Sequence, residues 1–254
     1  KHFQQIPMEW QMTYKPDRYF KDICCSNDQE TSIKTKDKHF YFFEYFPSDP
    51  IPNKENVEAF IRNFQLCLSE IRQNPRFICG LLLKDAFDSG KFPFLNFVCL
   101  KYDEDNFISP SKKWISLSSD CSKGLCTKFH NSLIAGFEEY ESLALCSDTN
   151  QPKLNSVFFI SSFKASGNLD WLEKNWRQWT GVVCILKNLS HSLRRDLQKI
   201  SFYRRVVPTG EFMFVLICEF TCENTELYRL KDLMERMNER YSGYSQVYVV
   251  HSMY

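Results

Sequence analysis

The sequence predicts an α/β or α+β fold, a mixed β-sheet covered by helices. Three observations predict it. Short apolar and aromatic runs alternate with stretches whose apolar residues recur every three or four positions. The first half reads β-α-β-β-α, and the strand near Val157 completes a β-α-β-β-α-β split unit. Beyond residue 155 strands and helices alternate, which predicts right-handed crossovers and a largely parallel sheet.

Each element has a local reason. His39–Phe46 is almost wholly aromatic and reads as a strand. A turn at Pro47, Pro50 and Pro52 follows. Asn53 then caps a helix that carries Val57, Phe60, Ile61, Phe64, Leu68 and Ile71 on one face. Asn74-Pro75 ends it, because proline disfavours helical backbone in the residue before it. Phe77–Lys84 and Phe94–Tyr102 are strands, joined into a hairpin at Asp88-Ser89-Gly90. Trp114–Leu117 reads as a short extra strand. Thr127–Cys146 reads as a helix striped by Phe129, Leu133, Phe137 and Tyr140.

A polar linker, Ser147–Asn155, divides the chain. After it, Val157–Phe163 is a strand, Asn168–Trp179 a helix, Val182–Leu186 a strand and Ser190–Phe202 a helix. A turn at Val207-Pro208-Thr209-Gly210 leads to a strand at Phe212–Phe220. Glu223–Tyr241 is a helix with Leu227, Leu230, Leu233, Met234, Met237 and Tyr241 inward and Gly243 just past its end. Gln246–Val250 is the last strand. The domain reading is therefore an extended aromatic-containing arm at 1–35, a split β-α-β module at 36–155 and an alternating β/α module at 156–254. The two modules share one continuous sheet if their strands pair across the linker.

Composition narrows the functional classes. The 254 residues are 43% hydrophobic and 25% charged, which fits a folded chain rather than a disordered one. Lys and Arg number 32 against 31 Asp and Glu, so no global field draws the protein to nucleic acid or membrane. The eleven cysteines have no framework spacing, and Cys79, Cys99, Cys184 and Cys218 lie inside apolar runs. They read as reduced, buried thiols, which points to the cytoplasm or nucleus. The longest apolar runs, Phe77–Leu83 and Phe212–Cys218, are too short to span a bilayer, so no membrane partner is expected. A chain that begins at Lys1 reads as a fragment or a processed product. Its eight glycines stand at least ten residues apart. Dinucleotide turns, phosphate-cradling loops and nucleophile elbows all need closer glycines, so none is present and no cofactor is expected.

Four groups of residues are candidate sites. Gly90-Lys91-Phe92-Pro93-Phe94-Leu95-Asn96-Phe97 echoes the RNP1 pattern of the RNA recognition motif, with Gly90 and Lys91 exchanged and Pro93 in place of a small residue. Strand alternation then presents Phe92 and Phe94 for base stacking. Lys187, Arg194, Arg195, Lys199, Arg204 and Arg205 face one acid, Asp196, with Tyr203 among them. That composition tracks a phosphate backbone, or else it is a helix face that meets acids such as Asp103-Glu104-Asp105 or Glu138, Glu139 and Glu141. Cys121, Cys126, His130 and Cys146 are zinc-ligand types without a zinc-site spacing. Cys126 and His130 also suggest a thiolate–imidazole pair, and Asp103 with Asp105 a metal-binding pair of carboxylates. Trp171, Trp176 and Trp179 on one short helix, with Trp10 in the arm, are anchors for a partner if exposed.

No complete catalytic constellation emerges from these groups. The sequence therefore predicts a non-catalytic protein–protein interaction or scaffold module. The alternatives are a single-stranded RNA or DNA binder and a cysteine- or metal-dependent enzyme.

Overall fold

The structure is a computed structural model. It describes residues 39–48, 57–58, 61–62, 64, 72–101, 133–144, 152–164, 168–206, 211–221, 226–240 and 243–254. The chain divides into two units, Lys1–Asp37 and Lys38–Tyr254, and every described residue lies in the second.

Among the described residues, eight strands carry the fold: β1 (His39–Phe46), β2 (Phe77–Asp85), β3 (Phe94–Lys101), β4 (Leu133–Ala144), β5 (Ser156–Phe163), β6 (Leu197–Arg205), β7 (Phe214–Thr221) and β8 (Gly243–Met253). They close into a barrel in the order β1-β3-β2-β8-β5-β7-β6-β4. All eight neighbour pairs are antiparallel. The first four strands lie side by side as β4-β1-β3-β2 and the last four as β8-β5-β7-β6, so each half is a split unit. The pairings β2–β8 and β4–β6 join the halves and remove the sheet edges. The strands on both sides of the 147–155 linker thus belong to one barrel.

The expected mixed, largely parallel sheet is corrected by this topology. Helical crossovers do return β5 and β6 to the same direction. A third strand, β7, lies between them, so no parallel pair forms. Strand–helix alternation reports the crossover and not which strand fills the gap.

Pleat parity explains the aromatic strands. Tyr41, Phe43 and Tyr45 of β1 point into the barrel, while Phe40 and Phe42 point to an outer apolar layer. Inside, the Phe43 ring sits 5.2 Å from Phe97 and 5.0 Å from Phe137. One end of the barrel is plugged by Tyr45, Phe92 and Phe212, whose rings lie 5.2–6.1 Å apart. The Tyr248 hydroxyl donates to the Phe92 carbonyl at 3.0 Å and fixes that plug. Asp85 holds the preceding loop by accepting from the N–H groups of Phe87, Ser89 and Gly90.

Helices cover the second half: α1 (Leu169–Lys174), α2 (Trp176–Trp179), α3 (Val182–Asn188), α4 (His191–Asp196) and α5 (Leu227–Arg240). Asn168 caps α1, and Ser190 caps α4 by accepting from the Leu193 N–H at 3.2 Å. Leu230, Leu233, Met234 and Met237 of α5 are buried as the periodicity predicts. In the first half, residues 57, 58, 61, 62, 64 and 72 are helical.

Three elements differ from expectation. Val182–Leu186 is helical, because Gly181 at φ 79° turns the chain out of α2 and straight into α3. The predicted helix Ser190–Phe202 stops at Asp196, and β6 begins at Leu197. The predicted helix Thr127–Cys146 contains β4, whose partners β1 and β6 supply the backbone hydrogen bonds that override a helical pattern. Trp114–Leu117 lies outside the described residues.

Candidate functional site

The end of the barrel opposite the Phe92 plug is polar. It is built where β1, β4, β6 and β7 turn ionisable side chains inward among aromatic rings. Parity puts Tyr41 of β1 inside. On β4, Phe137 and Glu139 share the inner face, and a bulge between Glu139 and Glu141 then reverses the pattern. Glu139 faces Tyr41, while Glu141 faces outward and accepts from the Trp176 indole at 2.7 Å. On β6, Tyr203 stands opposite Glu139, and Lys199 stands opposite Glu219 of β7.

The contacts make one network. The Tyr41 hydroxyl donates to Glu139 Oε2 at 2.9 Å. Lys199 Nζ pairs with the buried Glu139 Oε1 at 3.2 Å. The Ser156 hydroxyl donates to Glu219 Oε1 at 3.0 Å. The rings of Tyr203 and Phe97 lie 4.9 and 5.7 Å from Tyr41 and form apolar walls. The Glu139 and Lys199 side chains keep 17% and 37% of their exposure, so this end is reached from solvent.

The two carboxyls are pushed in opposite directions. Burial alone raises Glu139, but Lys199, with hydrogen bonds from Ser142 and Tyr41, outweighs it and holds Glu139 below the usual carboxylate range. Burial raises Glu219, and Ser156, Lys199 and Lys153 offset it only in part. Tyr41 is held protonated by burial and by the neighbouring Glu139 carboxylate. A carboxylate whose pKa is lowered, beside a carboxyl whose pKa is raised, is an arrangement suited to acid–base chemistry.

The sequence candidates are dispersed. Phe92 is 1% exposed in the barrel plug, and Phe94 is 1% exposed beneath Phe46 and Phe64. Neither presents a face to a base. Arg194 and Arg195 lie on α4. Lys199 enters the polar end, Arg205 donates to the Phe212 carbonyl at the plugged end, and Arg204 binds Glu138 and Glu173 outside. The stretch breaks at Leu197 from helix into strand, and this scatters the charges, so no continuous basic face forms. Glu138, Glu139 and Glu173 are acids it meets, the first two among those named in one of the two readings of that stretch.

Trp176 is buried flat against Phe202 at 4.9 Å, and Trp179 packs on Phe163 and Phe214. Both belong to the helix–barrel core, and Trp171 alone of the three is exposed. These placements overturn the interaction-module and RNA-binding readings. Trp10, Cys121, Cys126, His130, Cys146 and Asp103-Glu104-Asp105 lie outside the described residues. Among the described residues, no group of His, Cys, Asp or Glu is placed to hold a metal ion, and no helix is long and apolar enough to cross a membrane.

Tyr41 and Glu219 were not singled out by sequence. Glu219, set in Phe-Val-Leu-Ile-Cys-Glu-Phe-Thr, is the one legible signal, a carboxylate on an otherwise apolar strand.

A family model described as Domain of unknown function (DUF7153) matches residues 77–250. No curated protein matches the chain. Among solved structures, an anthrone oxidase-like protein superposes with a TM-score of 0.54 at 9% identity, over 87% of this chain and 94% of that one. A proposed monooxygenase from Fusobacterium nucleatum subsp. nucleatum gives 0.48 at 9% identity, over 86% and 94%. A proposed chlorite dismutase gives 0.48 at 13% identity, over 85% and 96%. The first likeness is one of fold.

Proposed function

The chain belongs to that family, Domain of unknown function (DUF7153), and we propose that its barrel is an enzyme that moves a proton on a small aromatic ketone or phenol bound at the Glu139 end. The observation that carries the reading is the pair of inward carboxyls, Glu139 and Glu219, on either side of Lys199, with burial and charge shifting the two in opposite directions. Glu139 is the base: its carboxylate, ion-paired with Lys199, takes a proton from an acidic C–H or O–H. The electron pair left on the substrate moves to oxygen, where the Lys199 ammonium stabilises the resulting enolate or phenolate. Glu219, whose proton affinity burial raises, is the acid that returns a proton. Tyr203 and Phe97 offer the aromatic walls against which a flat substrate packs. The anthrone oxidase-like neighbour supports the substrate class through its description alone.

The test uses anthrone in deuterated water, with incorporation at its methylene read by NMR. The expected result is exchange faster than buffer, reduced about 100-fold or more by Glu139→Gln and unchanged by the surface variant Asp170→Asn. Exchange at the buffer rate with the unaltered chain, or full activity in Glu139→Gln, overturns the reading.

A further inference from the structure

Cys79 and Cys99 stand directly opposite each other on β2 and β3, one residue past a slip in the strand register. Both face the barrel interior, Cys99 buried and Cys79 half-buried against the same core. Opposed residues on antiparallel strands place their Cα atoms about 4.5–5.5 Å apart. That lies within the roughly 4.4–6.8 Å that a disulfide spans. The Cys99 thiol across the ladder favours the Cys79 thiolate over the effect of its burial. The other described thiols are differently placed. Cys218 is fully buried on the outer face of β7, and the Cys184 thiol lies on α3 within 3.5 Å of the Asn188 amide.

We propose that Cys79 and Cys99 form a redox-active pair that closes to a cross-strand disulfide under a peroxide and reopens under a thiol reductant. The half-buried Cys79 meets the oxidant first. Its thiolate attacks a peroxide oxygen, the O–O bond breaks, and hydroxide leaves as a sulfenic acid forms. Cys99 sulfur then attacks Cys79 sulfur, the S–O bond breaks, and water leaves with the Cys99 proton. Two thiols are oxidised and one peroxide is reduced to two waters. A thiol reductant reverses the bond by exchange through a mixed disulfide. Closure removes the Cys99 thiol, which stands opposite Tyr41 on the neighbouring strand β1. The state of the pair is therefore felt at the polar end of the barrel. This chemistry needs neither Glu139 as a base nor a bound aromatic molecule.

The full chain, freshly reduced, is treated with hydrogen peroxide, alkylated under denaturing conditions, digested without reduction and read by mass spectrometry. The expected product is a peptide joining Cys79 to Cys99, two hydrogens lighter than the thiol pair and lost on adding dithiothreitol. Cys99→Ser leaves Cys79 as a sulfenic acid trapped by dimedone, and Cys79→Ser gives neither product. If Cys99→Ser disturbs folding, Cys99→Ala is read in the same way. Full alkylation of Cys79 and Cys99 at peroxide doses that oxidise Cys184 overturns the proposal, as does a Cys79 bridge to any other cysteine.

Discussion

Lys199 Nζ lies 3.2 Å from Glu139 Oε1, and this ion pair straddles the β4–β6 seam that closes the barrel. Glu138 and Arg204 cross the same seam on the outer face, with Arg204 Nε donating to Glu138 at 2.6 Å. The strands that complete the ring are thus held by opposite charges on both faces, in addition to their backbone ladder. The inner pair also sets the ionisation of Glu139, so barrel closure and site chemistry share one contact.

Lys199→Met tests that coupling. Removing the ammonium leaves Glu139 without its charge partner at a largely buried position. The expected loss is about 1–3 kcal/mol at neutral pH, between the values for exposed and fully buried pairs. Because the folded state holds Glu139 below its ordinary range, its contribution is present above that range and lost as pH falls through the folded value. Urea unfolding at neutral and acidic pH therefore shows a stability difference between the two proteins that shrinks on acidification. A difference that stays constant with pH contradicts the assignment.

Glu219→Gln has the opposite sign. Burial raises Glu219, so ionising it costs stability as pH rises above the unfolded value. A neutral amide keeps an acceptor for the Ser156 hydroxyl and removes that cost. The variant melts higher than the parent at neutral pH, by about 2–4 °C for each kcal/mol recovered in a domain of this size. At low pH, where the carboxyl is protonated in both states, the melting temperatures converge.

Gly80→Ala tests the outer apolar layer. A Cβ at Gly80 runs into the Tyr254 ring, whose hydroxyl hydrogen-bonds Asn96. The ring cannot move without breaking both that bond and its packing on Phe77. The expected cost is about 1–3 kcal/mol, as for other overpacked sites. Displacement of Tyr254 is read independently by spectrophotometric titration, since its phenol is held well above the ordinary tyrosine range by burial and ionises earlier once released.

The tryptophans separate cleanly in a stability assay. Trp176→Ala removes a ring stacked on Phe202 and the donor to Glu141, with an expected loss of about 3–5 kcal/mol. Trp171→Ala, at an exposed position, changes stability by no more than about 0.5 kcal/mol. Chemical denaturation followed by circular dichroism distinguishes them. Equal effects would place Trp176 outside the core.

Local pattern in the sequence determined much of the scaffold. The aromatic alternation of His39–Phe46, the apolar run at Phe77, the hairpin to Phe94, the strand at Val157 and the striped helix after residue 226 all stand where the residues predict them. Each is decided by the period at which its own apolar residues recur. Glu138 and Glu139 were also legible as partners for the basic stretch, while Glu141 pairs with Arg177 instead.

Tertiary structure alone decided the rest. The segment around Phe137 and Tyr140 satisfies a helical period, and it becomes β4 because β1 and β6 flank it on both sides. Closure of the barrel depends on pairings between strands more than fifty residues apart, which no local window contains. The site turns on a single bulge: Glu139 and Glu141 are two residues apart and share a face in any regular strand, yet the slip between them sends one to Tyr41 and the other to Trp176. Composition and period specify which residues are apolar or charged along the chain. Which face a charge occupies is set by register, and register is a property of the neighbouring strand.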